Sequence, residues 1–167
     1  FSLWKANAAG VDLNVNFNAR WGEGAQNVRT AGSENYIGAK PFSEPETVAL
    51  AEFTRKIKPV LTLSYHAKGR EIYYEFGQSG ERLRRDRAVA EYAASLTGYR
   101  LIEGTRGSAG GYKDWCVQEL KIPSLTIELV SDNFSHPLPD ESIYEDFARA
   151  PLLPVQLCDF MKENGYV

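Results

Sequence analysis

The stretch Leu61-Thr62-Leu63-Ser64-Tyr65-His66-Ala67-Lys68-Gly69 reads as a buried β-strand that delivers an imidazole at its end. A second stretch, Ser124-Leu125-Thr126-Ile127-Glu128-Leu129-Val130, is the most strand-like of the chain and delivers a lone carboxylate in the same way. A carboxylate inside an otherwise apolar strand costs free energy unless it has a partner or a role. His66 and Glu128 are therefore the first candidates for a site at the ends of sheet strands.

Working outward, strands alternate with helices. Ser43 and Glu46 form a capping box, Pro45 suits a first helical turn, and Val48, Ala51, Phe53 and Ile57 make an apolar face, which predicts a helix over 44–58. Pro59 ends it. Strands follow over 60–65 and 71–76, across a turn at Ala67-Lys68-Gly69. The next helix, over 81–97, has Leu83, Ala88, Val89, Tyr92 and Ala93 inward, Gly98 as its cap, and Arg82, Arg84, Arg85 and Arg87 toward solvent. A short strand over 99–102, a glycine-rich loop over 104–111, a helix over 112–120 and terminal helices over 144–162, interrupted by Pro151 and Pro154, complete the pattern. The first forty residues are rich in Asn and Gly and read as loop-built surface. The fold class is α/β, a mixed and largely parallel sheet covered by helices.

Composition narrows the chemistry. The chain has 167 residues, 43% of them hydrophobic, enough for one domain with a sizeable core. A net charge of -3 with interspersed signs offers no basic stripe, so nucleic acid is not an expected partner. No apolar run approaches the roughly 20 residues that span a bilayer, and the start lacks a signal peptide's regions. Cys116 and Cys158 have no metal-ligand spacing and read as buried thiols.

Six segments carry a family resemblance: Trp4-Lys5-Ala6-Asn7; Gly10-Val11-Asp12-Leu13-Asn14-Val15-Asn16-Phe17; Pro41-Phe42-Ser43-Glu44-Pro45-Glu46-Thr47; Ser64-Tyr65-His66; Gly110-Gly111 before Asp114-Trp115; and Thr126-Ile127-Glu128. In order and approximate spacing they resemble the zinc carboxypeptidases of the carboxypeptidase A and T superfamily. The wording of the first two is most similar to the bacterial branch that acts on cell-wall peptides, the γ-D-glutamyl-diaminopimelate peptidases.

The resemblance implies a metallopeptidase that cleaves a peptide bond with zinc-activated water, and it implies roles for particular residues. His66 matches a zinc ligand, and Glu128 matches the general base that carries a proton from that water to the leaving amine. Lys5 stands where the family has an arginine that stabilises the oxyanion; a lysine offers charge without the bidentate fork. Asn14 matches an asparagine that holds a substrate carboxylate, although its expected arginine neighbour is here Val15. Arg106 occupies the position of a tyrosine on a mobile loop, and Lys113 lies near the specificity pocket, so both are candidates for an acidic substrate group such as a diaminopimelate carboxylate.

The family's first two zinc ligands come from a His-x-x-Glu motif upstream of the Trp-Lys-Ala-Asn segment, and no such motif occurs in these 167 residues. The other histidine, His136, sits in Ser135-His136-Pro137. A catalytic zinc takes three protein ligands, so two are expected from an N-terminal segment outside the chain. The 167 residues are accordingly expected to be the C-terminal portion of a catalytic domain, inactive alone, with N-terminal strands of the sheet missing and an edge open to self-association. A peptide substrate, including a peptidoglycan stem peptide, is the expected partner. The alternative is a binding module that keeps the cleft without catalysis. Compartment stays open, with a leaning to the cell envelope.

Overall fold

The computed structural model describes residues 3–149 and 151–167. Phe1 and Ser2, at the start read for a leader, and Ala150, inside the terminal helical stretch, lie outside the described residues. The elements are α1 (Pro45–Ile57), β1 (Thr62–Ala67), β2 (Glu71–Tyr73), α2 (Gly80–Thr97), β3 (Arg100–Ile102), α3 (Tyr112–Trp115), β4 (Ser124–Leu129), α4 (Tyr144–Arg149) and α5 (Leu153–Glu163). Helix α3 widens into a π-helical turn over Cys116–Leu120. No described helix is long and apolar enough to cross a membrane.

The four strands form one sheet in the order β1-β4-β2-β3. β1 runs parallel to β4 and β2 parallel to β3, whereas β2 and β4 are antiparallel. The expected α/β class with a mixed, largely parallel sheet is the architecture found. β1 and β2, adjacent in sequence across Ala67-Lys68-Gly69, are not paired: β4 lies between them. That insertion makes β4 the axis of the site.

Side chains alternate across β4. Leu125 and Ile127 pack against α2 and α5 through Val89, Ala93, Leu157 and Met161. Ser124, Thr126 and Glu128 point to the other face, where Ser124 meets the Thr62 hydroxyl at 2.5 Å and Trp115, Cys116 and Phe17 build a second apolar cluster. Hence β4 is apolar on one face only. Gly98 closes α2 in the left-handed conformation, as its position suggested.

Helix α1 corrects two expectations. Its N-cap is Glu44, with no side-chain cap bond: the Ser43 hydroxyl donates to Glu44 Oε1 at 2.7 Å and accepts from Asn16 at 2.9 Å, so it cannot cap. Its inward face is Thr47, Ala51 and Thr54, while Phe53 and Ile57 are 57% and 52% exposed. The threonines turn inward because their hydroxyls are satisfied there. Thr47 donates to Asn16 Oδ1 or Glu44 O, and Thr54 to Leu50 O, with the Tyr112 hydroxyl also at 2.9 Å. In α2, the inward set is Asp86, Val89, Ala90, Ala93 and Thr97, and Arg85 is held against buried Asp86 at 2.7 Å while Arg84 and Arg87 face solvent. Cys116 is buried and Cys158 half-buried.

A polar joint fastens the C-terminal helices to the end of β4. Buried Asp146 of α4 accepts from the Val130 backbone N–H at 2.9 Å, from Arg70 Nε at 3.1 Å and from the Tyr99 hydroxyl. Val130 holds φ at 61°, unusual for a β-branched residue, and its carbonyl accepts from Gly69 N–H at 2.8 Å.

Ile127→Ala is expected to lower the unfolding free energy by about 3 kcal/mol, the usual range for truncating a buried aliphatic, and Phe53→Ala by less than about 1 kcal/mol. Urea unfolding of the two variants checks this, and equal losses would contradict the assignment of the α1 face.

Candidate functional site

His66 closes β1, and in the parallel register its partner on β4 is Glu128. On the other side of Glu128, in the antiparallel register, stands Glu71 of β2. Registered neighbours project to the same face, so an imidazole and two carboxylates lie in a row across three strands. A cavity of about 240 Å³ opens above this row, bounded by Asn14, His66, Tyr73, Arg106, Lys113 and Glu128. Five of the six residues singled out from the sequence, all except Lys5, thus share one cavity.

Burial is the main perturbation of both paired groups. Glu128 is pushed up to about 7, first by desolvation and then by the negative charge of Glu71, with Lys5 opposing. Its carboxyl thus exchanges a proton near neutrality, the range that serves a general acid or base. His66 is shifted down by burial, with Asp12 pulling up and Lys5 pushing further down, so its neutral form, with a nitrogen lone pair, dominates at pH 7.

The remaining residues differ in how free they are. Lys113 is buried, donates to the Glu75 carbonyl at 2.8 Å and meets Asp114 Oδ1 at 2.5 Å. That contact is an ion pair, and Asp114 Oδ1 receives no aligned hydrogen bond. Asn14 is exposed: its backbone N–H donates to Asp12 Oδ1 at 3.1 Å, and its carboxamide faces the cavity. Arg106 is exposed on the loop between β3 and α3. Lys5 does not line the cavity. It pairs with Glu34 at 3.2 Å in solvent, although its charge is felt at both His66 and Glu128.

Gly110 lets the loop approach the Asn14 segment. A Cβ there would stand 2.7 Å from the Val15 carbonyl, and its φ is +83°. Phe17 N–H donates to the Gly110 carbonyl at 2.9 Å, which seals the contact.

Two site residues escaped the sequence reading. The Tyr73 hydroxyl lines the cavity and donates to Glu71 Oε2 at 2.5 Å, and Arg100 pairs with Glu71 from outside. Burial and the Glu71 carboxylate push the Tyr73 phenol up to about 12. The alternation Glu71-Ile72-Tyr73 does place these two on one face, but only the strand order reveals that this is the face of Glu128. Another cavity, about 420 Å³, lies against the opposite sheet face beside Tyr65, Ile127 and Phe147 and contains none of these groups.

Among the described residues no three His, Cys, Asp or Glu side chains are grouped to hold a metal ion. His66 has the chemistry of a zinc ligand, but by themselves the residues present do not make a zinc site.

Comparison with known proteins gives this sheet and site a lineage. Residues 2–149 match the zinc carboxypeptidase family. The chain is 37% identical over 150 residues to γ-D-glutamyl-L-diamino acid endopeptidase 1 of Lysinibacillus sphaericus, covering 87% of this chain and 37% of that protein. It is 31% identical over 175 residues to carboxypeptidase B of Rattus norvegicus, covering 94% and 41%. Among solved structures, bovine thrombin-activatable fibrinolysis inhibitor, in complex with tick carboxypeptidase inhibitor, superposes with a TM-score of 0.78 at 25% identity over 92% of this chain and 57% of that one. The chain belongs to the zinc carboxypeptidase family. It spans about two fifths of the length of the two curated relatives just described.

The raised Glu128 pKa makes stability depend on pH. Its folded value, about 7, exceeds its ordinary value of 4.5, so stability from this group is fully present below about pH 4.5 and is lost as pH rises through 7. After discounting for solvent screening, Glu128→Gln is expected to gain about 1 to 2 kcal/mol over the parent between pH 5 and pH 8. Urea unfolding at both pH values in chelator measures it; a constant difference would show that Glu128 titrates normally.

Proposed function

We propose that this chain is the C-terminal portion of a zinc carboxypeptidase catalytic domain, and that the whole protein hydrolyses a peptide bond with Glu128 as general base. The observation that carries the reading is the registered pair His66 and Glu128 at the mouth of a polar cavity. In this reading Glu128 accepts a proton from the attacking water and delivers it to the leaving nitrogen, and a carboxyl that titrates near neutrality suits both transfers. Lys5 offers positive charge for the carbonyl oxygen. Its exposed bond to Glu34 is of a kind worth at most about 1 kcal/mol, so releasing it costs little. Asn14, Arg106 and Lys113 form the polar wall that receives the substrate.

His66 is proposed as one ligand of a single zinc ion, with two further ligands supplied by sequence outside this chain. Zinc, when bound, lowers the pKa of water and polarises the carbonyl. The likeness to the Lysinibacillus sphaericus endopeptidase favours a cell-wall peptide containing a diamino acid as substrate. One observation favours a second reading, a peptide-binding module without catalysis: His66 is the sole imidazole beside Glu128, and the described residues lack a full ligand set.

In the full-length protein, Glu128→Gln is expected to lower kcat by about 10² to 10⁴, the usual contribution of a positioned general base, with one zinc per molecule retained and activity abolished by chelation. The assay compares a γ-D-glutamyl-diaminopimelate peptide with a simple C-terminal peptide. Peptide binding without zinc or turnover would establish the second reading instead.

A further inference from the structure

We propose that the Tyr73 hydroxyl, backed by Glu71, receives the side-chain ammonium of a diamino acid residue in the substrate and makes the cavity select such residues; this rests on the peptidase reading above. Strand pairing builds the subsite. In the antiparallel register of β2 and β4, Tyr73 stands beside Thr126 and Glu71 beside Glu128, and the two-residue period of each strand sends all four side chains to one face. Tyr73, Thr126 and Glu128 border the cavity, and Glu71 is set back from it.

Hydrogen-bond capacity decides what the subsite takes. A phenol has one O–H and two lone pairs. The Tyr73 O–H goes to Glu71 Oε2 at 2.5 Å, and no described donor reaches the Tyr73 oxygen, so its remaining capacity is that of an acceptor. The phenol, pushed up to about 12 by burial and by Glu71, keeps its proton at pH 7. A carboxylate behind the hydroxyl polarises it and strengthens that acceptor. Arg100 pairs with Glu71 from outside, where it is largely exposed and the pair is weakened by solvent. The Glu71 charge is still the largest charge effect felt at Glu128. Arg106 opposes at Tyr73, as the smallest of the influences there.

A second open acceptor borders the same cavity. Asp114 is 1% exposed, and its Oδ1 receives no aligned hydrogen bond, the Lys113 ammonium beside it giving charge balance alone. Two oxygens able to accept call for a ligand that brings several N–H donors on one positive centre. A primary ammonium has three, whereas a carboxylate or an apolar side chain has none.

The test uses the full-length protein with a γ-D-glutamyl-diaminopimelate peptide and with the analogue in which hydrogen replaces the distal amino group, both carboxylates being kept. The parent is expected to favour the amine by about 30-fold in kcat/KM, as for a hydrogen bond to a charged group. That ratio is expected to fall about tenfold in Tyr73→Phe and in Glu71→Gln. Glu71→Gln also removes a negative charge beside Glu128, which alters turnover of both peptides alike and cancels in the ratio. If neither peptide is hydrolysed, the peptidase reading fails by itself, and the two Kd values from isothermal titration calorimetry give the ratio instead. Absence of any preference in the parent, a ratio that either variant leaves unchanged while turnover of both peptides falls, or binding of neither peptide overturns the inference.

Discussion

The parallel pairing of β1 with β4 governs the rest of the molecule. Its register puts His66 beside Glu128 and, by the two-residue period of a strand, sends Leu125 and Ile127 to the helical core. A slip of one residue would bury Glu128 among α2 and α5 and turn Ile127 toward the cavity. The energy of apolar burial on one face therefore enforces the chemical geometry on the other. No separate device is needed to aim the two side chains.

The electrostatics follow from the same strand order. With β4 between β1 and β2, Glu128 has a neutral imidazole on one flank and the Glu71 carboxylate on the other. Glu71 is steadied by Tyr73 and Arg100, so its negative charge stays in place. Lys5 works against both Glu71 and Asp12, from the loop-built side of the site. The result is a carboxyl with a neutral form accessible near pH 7, set by neighbours that belong to three different strands and one loop.

Much of this was legible in the sequence because strand-end His66 and Glu128 interrupt apolar alternation, a local signal. Asn14, Arg106 and Lys113 were legible only through the family resemblance, and the structure assembles them around one cavity. What escaped was non-local. Nothing in Glu71-Ile72-Tyr73 announces that β4 inserts beside it, and nothing in the spacing of Phe53 and Ile57 reveals that Thr47 and Thr54 find hydrogen-bond partners inward. The fate of Lys113 turns on Asp114, its immediate neighbour in sequence, and is decided by which way two adjacent side chains of one helical turn face.

The Asp146 joint carries a mechanical implication. Its bond to the Val130 backbone lies two residues beyond Glu128, and the same residue holds Tyr99 beside β3 and Arg70 beside β2. The C-terminal helices are thus riveted to the open ends of three strands at one point, on the side of the sheet away from the cavity. Loss of that rivet would let the ends of β4 and β2 drift apart, changing the distance between Glu128 and Glu71 without touching either. The tail of the chain behaves as a tensioner for a site to which it contributes no side chain.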